Sequence, residues 1–576
     1  MRRRFLWIVI GLLLLAAGFR VAVAHWLPND APGDGVVYAQ MARNLLEQHV
    51  YSHEAQPPYS PSLVRLPGYP LFLATVYSIF GHTNNGAVRI IQALIDTATC
   101  GLIALLAFYW QPDEQKKRAS AIGALALAAI CPFTTIYAAT ILTEVPTNFL
   151  LIAMFVATTL ALRKTFTTED SQKSKSDSKP AIFWWVVAGL LGGIAVFFRP
   201  DNGLFVAAIG LTLLGSSLWR IWRAPRARSG DVALDSSLSE ESDGASPSSV
   251  AGRLPAHAKS MFAQMLVCGT LFSISFALVL VPWAIRNWRV FHVFQPLAPA
   301  HAEMPGEFVP RGYGLWLRTW LDDESFIAPL LWSLDTDPID FEDIPPYAFD
   351  SADEKNRVAA LIEKYNNPDG DESSPANAPA APQPSPSPAN PKASPSPKAS
   401  QPNSDANSKE EDSEDTEEEE SHGPVEMTPE IDAGFAQIAR ERIARHRFQF
   451  YVWLPIMRAR TMWLDTHSQY WPFEGTLLPF DDLDYEAHQQ YWLPLFAGLT
   501  ALYTLLGLAG AWFLWASGRF EAHQWLLLLG LAIVLRLILF SSMENPEPRY
   551  LVEFFPLLSI LGGIAIGQLK PRKKAN

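Results

Sequence analysis

Apolar runs of about twenty residues recur along this chain, and a helix of that length crosses the hydrocarbon layer of a bilayer. They lie near 5–24, 86–110, 119–138, 146–162, 182–198, 202–221, 262–285, 491–515, 524–541 and 550–567. Lipid offers the backbone no hydrogen-bond partners, so each run must satisfy its own peptide groups as a helix. The chain therefore reads as an all-α polytopic membrane protein with a bundle of about ten transmembrane helices. A net charge of −13 over 576 residues would by itself suggest a soluble acidic protein, but the acids concentrate in one tract around 410–420. Cys100, Cys131 and Cys268 all fall inside apolar runs, which supports neither a disulfide framework nor a zinc site.

Charge bias orients the spans. Arg2, Arg3 and Arg4 precede the first run, and the later clusters Lys116-Lys117-Arg118, 163–179, 220–228 and Lys570-Pro571-Arg572-Lys573-Lys574 fall on the same side of a ten-span count. Both termini are thus expected in the cytoplasm of a bacterial inner membrane. The first run is too long for a signal peptide and no small-x-small site follows it, so it reads as a retained anchor. Tyr69 to Phe80 is too short to cross and reads as an interfacial or re-entrant helix. Three regions follow: a membrane module over 1–285 with its first loop at 25–85, an extracytoplasmic loop over 286–490, and C-terminal spans over 491–576. Two tracts, 226–259 and 368–423, are too polar or too rich in Pro and Ser to fold. Thr428 and Pro429 mark a helix start. That helix, about 429–464, carries Arg440, Arg442, Arg445 and Arg447 before an aromatic stretch, and is expected to lie along a membrane surface.

The short extracytoplasmic connections hold Arg43, Arg65, Arg199, Arg286, Arg289 and Arg549 but no lysine. Arginine placed against the topological bias suggests an anion to hold, because its planar fork binds phosphate through two parallel hydrogen bonds. Snorkelling and capping of helix ends are the alternative. Asp34 precedes a helical face of Tyr38, Ala42, Leu45 and His49; it is either an N-cap, in competition with Asn29 and Asp30, or a general base. Glu144 opens the fourth span, where the helix dipole favours it, and faces the same side as Asp34. Asp96 lies within the second span, with Arg89 or Gln92 as its expected neighbours and a structural role. A glycine-rich phosphate loop, HExxH and GxSxG are all missing, so a phosphate would arrive from the membrane rather than on a soluble nucleotide.

These residues resemble the C-type (GT-C) glycosyltransferases that use polyprenyl-phosphate sugars, and among them the bacterial relatives of protein O-mannosyltransferases and the lipid A aminoarabinose transferase. The matching pieces are Gly33-Asp34 with Tyr38 and Ala42, Arg65-Leu66-Pro67-Gly68-Tyr69-Pro70, Thr143-Glu144, Phe198-Arg199-Pro200, Pro282-Trp283 with Arg286-Asn287, and Arg549-Tyr550 with Pro556. The resemblance implies Asp34 as the catalytic first-loop acid and Glu144 as a second acidic position. Arg65, with Arg199, Arg286 and Arg549, would meet the donor phosphate, and Tyr38, Tyr69 and Tyr550 would line the pocket. Many relatives place a glutamate directly after the first-loop acid, where this chain has Gly35. The expected activity is inverting transfer of a sugar from a polyprenyl-phosphate donor to an acceptor hydroxyl on a lipid, protein or glycan, at the extracytoplasmic face. No cofactor is assigned; a divalent cation near Glu144 stays open, and no nucleic-acid partner is expected. The rival readings are a flippase or transporter of lipid-linked sugars, which would put polar groups deep in several spans, and a scaffold built around the acidic tract, for which so many spans are superfluous.

Overall fold

The computed structural model describes residues 2–27, 33–167, 178–223, 256–368, 425–464 and 489–569. Asn29, Asp30, the basic tail and nearly all of the two tracts expected to be disordered lie outside these residues. The described residues are helical, with no strand among them, and they divide into two compact units.

The first unit carries the membrane helices. Up to the second unit its helices, spanning or not, are α1 (Arg2–Trp26), α2 (Asp34–Glu47), α3 (Gly68–Phe80), α4 (Asn85–Trp110), α5 (Lys117–Ala129), α6 (Pro132–Ala138), α7 (Glu144–Thr167), α8 (Ser178–Phe198), α9 (Gly203–Arg223) and α10 (Ala256–Phe291). Eight described helices in the whole chain are long and apolar enough to cross a membrane, or nine if α5 and α6 form one broken span. The count of ten is therefore not reached by length alone, and two of the expected spans differ from the pattern.

The run at 119–138 bends by 54° between α5 and α6. Pro132 has no N–H for the Ala128 carbonyl, so the helical ladder stops there. Arg20, fully buried on α1, fills the gap: it donates to Ala128 O at 3.0 Å and Ala129 O at 3.1 Å. Its Nε lies 2.6 Å from Asp96 Oδ2 on α4. Asp96 is thus structural, as expected, but its partner is Arg20 and not Arg89 or Gln92. Those two are engaged elsewhere: Arg89 donates to Leu27 O, while Gln92 accepts from Tyr69 Oη and donates to Thr140 O.

The final run, expected at 550–567, is a helix only from Phe554 to Gln568, or about 22 Å at 1.5 Å per residue. The residues before it form a short 3-10 turn, Pro548–Leu551, that serves the ion cluster described below. Small residues let this last helix pack closely. A Cβ on Gly510 would meet Leu561 O at 1.9 Å, and one on Gly563 would meet the Ala124 Cβ at 2.4 Å.

The second unit includes α11 (Arg311–Leu317), α12 (Ala352–Asn366) and α13 (Pro429–Arg445), around a core of Tyr313, Trp316, Trp320 and Phe435. The Thr428 side chain accepts from Ile431 N–H, as its cap role predicts. The helix expected over 429–464 is interrupted at His446, and a further helix, α14 (Leu454–Leu464), follows. Arg442 does not face a membrane. It is buried, donating to Glu354 at 2.8 Å and Tyr347 O at 3.0 Å, and Arg445 joins Glu354 at 2.6 Å. Three helices complete the membrane unit: α15 (Gln489–Ala516), α16 (Phe520–Ser541) and α17, the Phe554–Gln568 helix.

Candidate active site

Asp34 is the first residue of α2, and Gly33 holds the cap position. Its carboxylate is therefore not used for capping. Asp34 Oδ1 accepts from Arg65 Nη2 at 2.9 Å, and Oδ2 lies 3.2 Å from Arg549 Nη1. Arg65 reaches this point because the Arg65-Leu66-Pro67-Gly68 segment turns tightly onto the end of α8. A Cβ on Gly68 would sit 2.5 Å from Phe197 O, so only glycine permits that approach. The same contact brings the Arg65 loop beside Arg199, two residues beyond Phe197.

Arg199 is the hub of a second, deeper group. Its Nη1 donates to Glu144 Oε1 at 2.9 Å and lies 3.7 Å from Glu553 Oε1; its Nε donates to Asp201 Oδ1 at 3.2 Å. Arg536, fully buried on α16, meets Asp201 at 2.6 Å and Glu553 at 2.9 Å. Arg549 also pairs with Glu547 at 2.7 Å. The two groups meet across Tyr550, whose ring centroid is 5.7 Å from the Arg199 guanidinium and 5.5 Å from that of Arg549. Five carboxylates thus face four arginines in one continuous cluster, on elements drawn from both ends of the sequence.

The electrostatics of the cluster are uneven. Burial alone would push the Asp34 carboxyl up, but Arg549 and Arg65 outweigh it and hold it below the usual carboxylate range. Glu547 goes the other way: burial pushes it up against the pull of Arg549. The Tyr38 hydroxyl, buried beside Asp34, is pushed up to about 12 and stays protonated. Asp34 is therefore a committed anion, whereas Glu547 takes up a proton more readily than an ordinary carboxylic acid.

The expected residues divide as follows. Asp34, Arg65, Glu144, Arg199, Arg549 and Tyr550 come together. Tyr38 stands at the rim, edge-on to Tyr69 at 5.2 Å. Tyr69 is fully buried and donates to Gln92 Oε1 at 2.8 Å, so it backs Tyr38 and does not itself line an open pocket. Arg286 lies outside the ion cluster. It donates to Ser62 O at 2.7 Å and stacks on Trp283 and Tyr51, and the Tyr51 hydroxyl donates to Arg65 O at 3.1 Å. Arg286 thus braces the loop that presents Arg65. Arg289 is exposed, and Arg43 donates to Gln40 Oε1.

Asp201, Arg536, Glu547 and Glu553 were missed by the sequence reading. Arg536 carried a usable signal, since an arginine within the apolar run LAIVLRLILF calls for a partner. Among the described residues no three His, Cys, Asp or Glu side chains converge as a metal-ligand set. Glu144 presents one hydrogen-bonded oxygen to Arg199 and one buried oxygen, Oε2, with no hydrogen-bond partner, which is too little to hold a divalent cation.

The described helices are those of a multi-pass membrane protein. More specifically, residues 60–230, which hold Arg65, Glu144, Arg199 and Asp201, match the family described as dolichyl-phosphate-mannose-protein mannosyltransferase. No curated protein sequence is significantly similar to the chain. Three solved structures, each 12% identical, are similar over nearly the whole chain. One is the archaeal oligosaccharyltransferase AglB from Archaeoglobus fulgidus in complex with an inhibitory peptide and a dolichol-phosphate. It has a TM-score of 0.46 and matches 98% of this chain and 50% of its own, so the chain spans half its length. The others are ArnT from Cupriavidus metallidurans in the apo state and bound to undecaprenyl phosphate. Their TM-scores are 0.31 and 0.30, with 97% and 98% of this chain and 77% of theirs covered.

Proposed function

We propose that the chain is an inverting glycosyltransferase that takes a sugar from a polyprenyl-phosphate donor at the extracytoplasmic face of a bacterial inner membrane, with both termini in the cytoplasm. The observation that carries this reading is the Asp34 carboxylate gripped at once by Arg65 and Arg549. In the resting state those arginines make Asp34 a weak base. A lipid phosphate is a better partner for two guanidinium groups than one carboxylate, because it accepts bidentate bonds from each. When the donor binds, Arg65 and Arg549 turn to its phosphate, and the freed Asp34 becomes more basic.

The acceptor hydroxyl then loses its proton to Asp34 as its oxygen bonds to the anomeric carbon. The bond from that carbon to the phosphate oxygen breaks, and the lipid phosphate leaves with the electron pair and inverts the centre. Charge growing on the leaving group is met by Arg65 and Arg549, in an arrangement set before reaction, where such stabilisation is most effective. Glu144 and Arg199 form the next layer and orient the sugar or the acceptor. The acceptor is a hydroxyl of a lipid, protein or glycan.

The test is transfer of radiolabelled sugar from a polyprenyl phosphate by the purified full-length chain in proteoliposomes, with Arg549→Ala alongside. The reading expects transfer by the wild type and its loss in the variant. Translocation of the intact donor across the bilayer with no sugar released would instead identify a transporter.

A further inference from the structure

The ends of α9 and α16 remote from the ion cluster enclose a cavity of about 530 Å³, together with the last turn of α15. Ser216 lies fifteen residues along from Asp201 and Gln524 twelve from Arg536, or roughly 18–22 Å down the helix axes at 1.5 Å per residue. The cavity is therefore separate from the candidate active site. On the charge bias of the loops it opens at the cytoplasmic side.

Its walls are of two kinds. Trp219, Trp515, Phe520 and Leu527 supply a broad apolar and aromatic surface. Against it stand two polar groups that the fold leaves without hydrogen bonds: Gln524 Nε2 and Ser216 Oγ, on side chains that are 4% and 3% exposed. Buried polar groups are almost always satisfied, and one without a partner destabilises the fold. Both line the cavity, so a molecule seated there would satisfy them. At the same rim, the Arg220 guanidinium stacks over Phe520 at 4.7 Å from the ring centroid. Such a site offers an amide donor, a hydroxyl and a nearby positive charge to a headgroup, with tryptophans for the tail beneath it.

We propose that this cavity is a second lipid-binding site, which holds the phosphate headgroup of an amphiphile in the leaflet opposite the candidate active site. Gln524 and Ser216 bond the phosphate oxygens, and the Trp219–Trp515 wall takes the first carbons of the chain. The proposal is independent of the transferase reading, because it concerns binding alone at other residues.

Dioctanoyl-phosphatidylglycerol titrated into the purified full-length chain and read by native mass spectrometry tests it. The Arg549→Ala background removes binding at the ion cluster and should leave this binding unchanged. Gln524→Leu and Ser216→Ala should each weaken it about tenfold, the loss of one hydrogen bond to a charged group. Dioctanoylglycerol, which lacks the phosphate, should bind no better to wild type than to Gln524→Leu. Inorganic phosphate at millimolar concentration should not compete; full competition would mean that a free phosphate occupies the site, overturning the lipid assignment. Equal affinity of wild type and both variants, with thermal unfolding unchanged, would overturn the site altogether.

Discussion

Replacing Asp34 with Asn separates the two jobs that the structure gives this residue. Asparagine keeps the size of the side chain but cannot take the acceptor's proton, so turnover should fall on the order of 10²–10⁴-fold. The same change releases Arg65 and Arg549 from a carboxylate that competes with the donor. Hydrogen bonds to charged groups contribute about 1.5–3 kcal/mol each. Asp34 makes two such contacts but is about a quarter exposed, at 24% of its side chain. Taking the low figure and halving it for solvent screening leaves about 1.5 kcal/mol, or about tenfold in affinity. Asp34→Asn should therefore bind a non-transferable polyprenyl-phosphate analogue about tenfold more tightly while it loses transfer. Isothermal titration in detergent gives the first quantity and labelled-sugar transfer gives the second. Affinity that falls tenfold would mean that the carboxylate serves to hold the arginines in place. Turnover near wild type would remove Asp34 as the base.

The pH dependence should split in a related way. The Asp34 pKa is depressed in the free protein, so its ion pairs are intact above the ordinary carboxylate value of about 4 and are lost only as pH falls through the lower, folded value. The acid limb of kcat/KM, which reports the free enzyme, should thus lie below that of kcat, which reports the donor-bound state where the arginines have turned away; coincident limbs would refute the exchange of partners. Arg536→Leu should cost about 3–5 kcal/mol, because it strands Asp201 and Glu553 without their best cation. Arg536→Leu with Glu553→Leu should recover part of that loss, both read as thermal midpoint in detergent, and a single variant as stable as wild type would show that Arg199 suffices for both acids.

Much of the fold was legible because lipid leaves the backbone so few choices. Apolar length located the long helices, and the shortness of the Tyr69–Phe80 run was read correctly. The convergence of Asp34, Arg65 and Arg549 could be anticipated from their residue types and from loops that the charge bias assigns to one side. Pairings between helices were less accessible. Asp96 was assigned neighbours from its own helix, since sequence gives no sign that α1 would place Arg20 against it. The bend at Pro132 was hidden for the same reason: a proline inside an apolar run breaks the ladder only if something else can satisfy the carbonyls it strands. Glu547 and Glu553 went unmarked in the sequence, the first just before the run expected at 550–567 and the second just inside it. They lie at its threshold because Arg549, Arg199 and Arg536 need counter-charges there. The helix expected over 429–464 is not continuous, and Arg442 turns inward because it has acids to meet within its own unit.

Arg20 also bears on how the chain is made. It emerges from the ribosome in the first hydrophobic segment, long before Asp96 and the Ala128 and Ala129 carbonyls exist to receive it. Until the third segment follows, a bare guanidinium within an apolar helix favours staying near the translocation machinery over release into lipid. Correct insertion of the first segment is thereby tied to synthesis of the third, and a chain truncated before Ala128 should fail to leave that machinery cleanly in a staged translation assay.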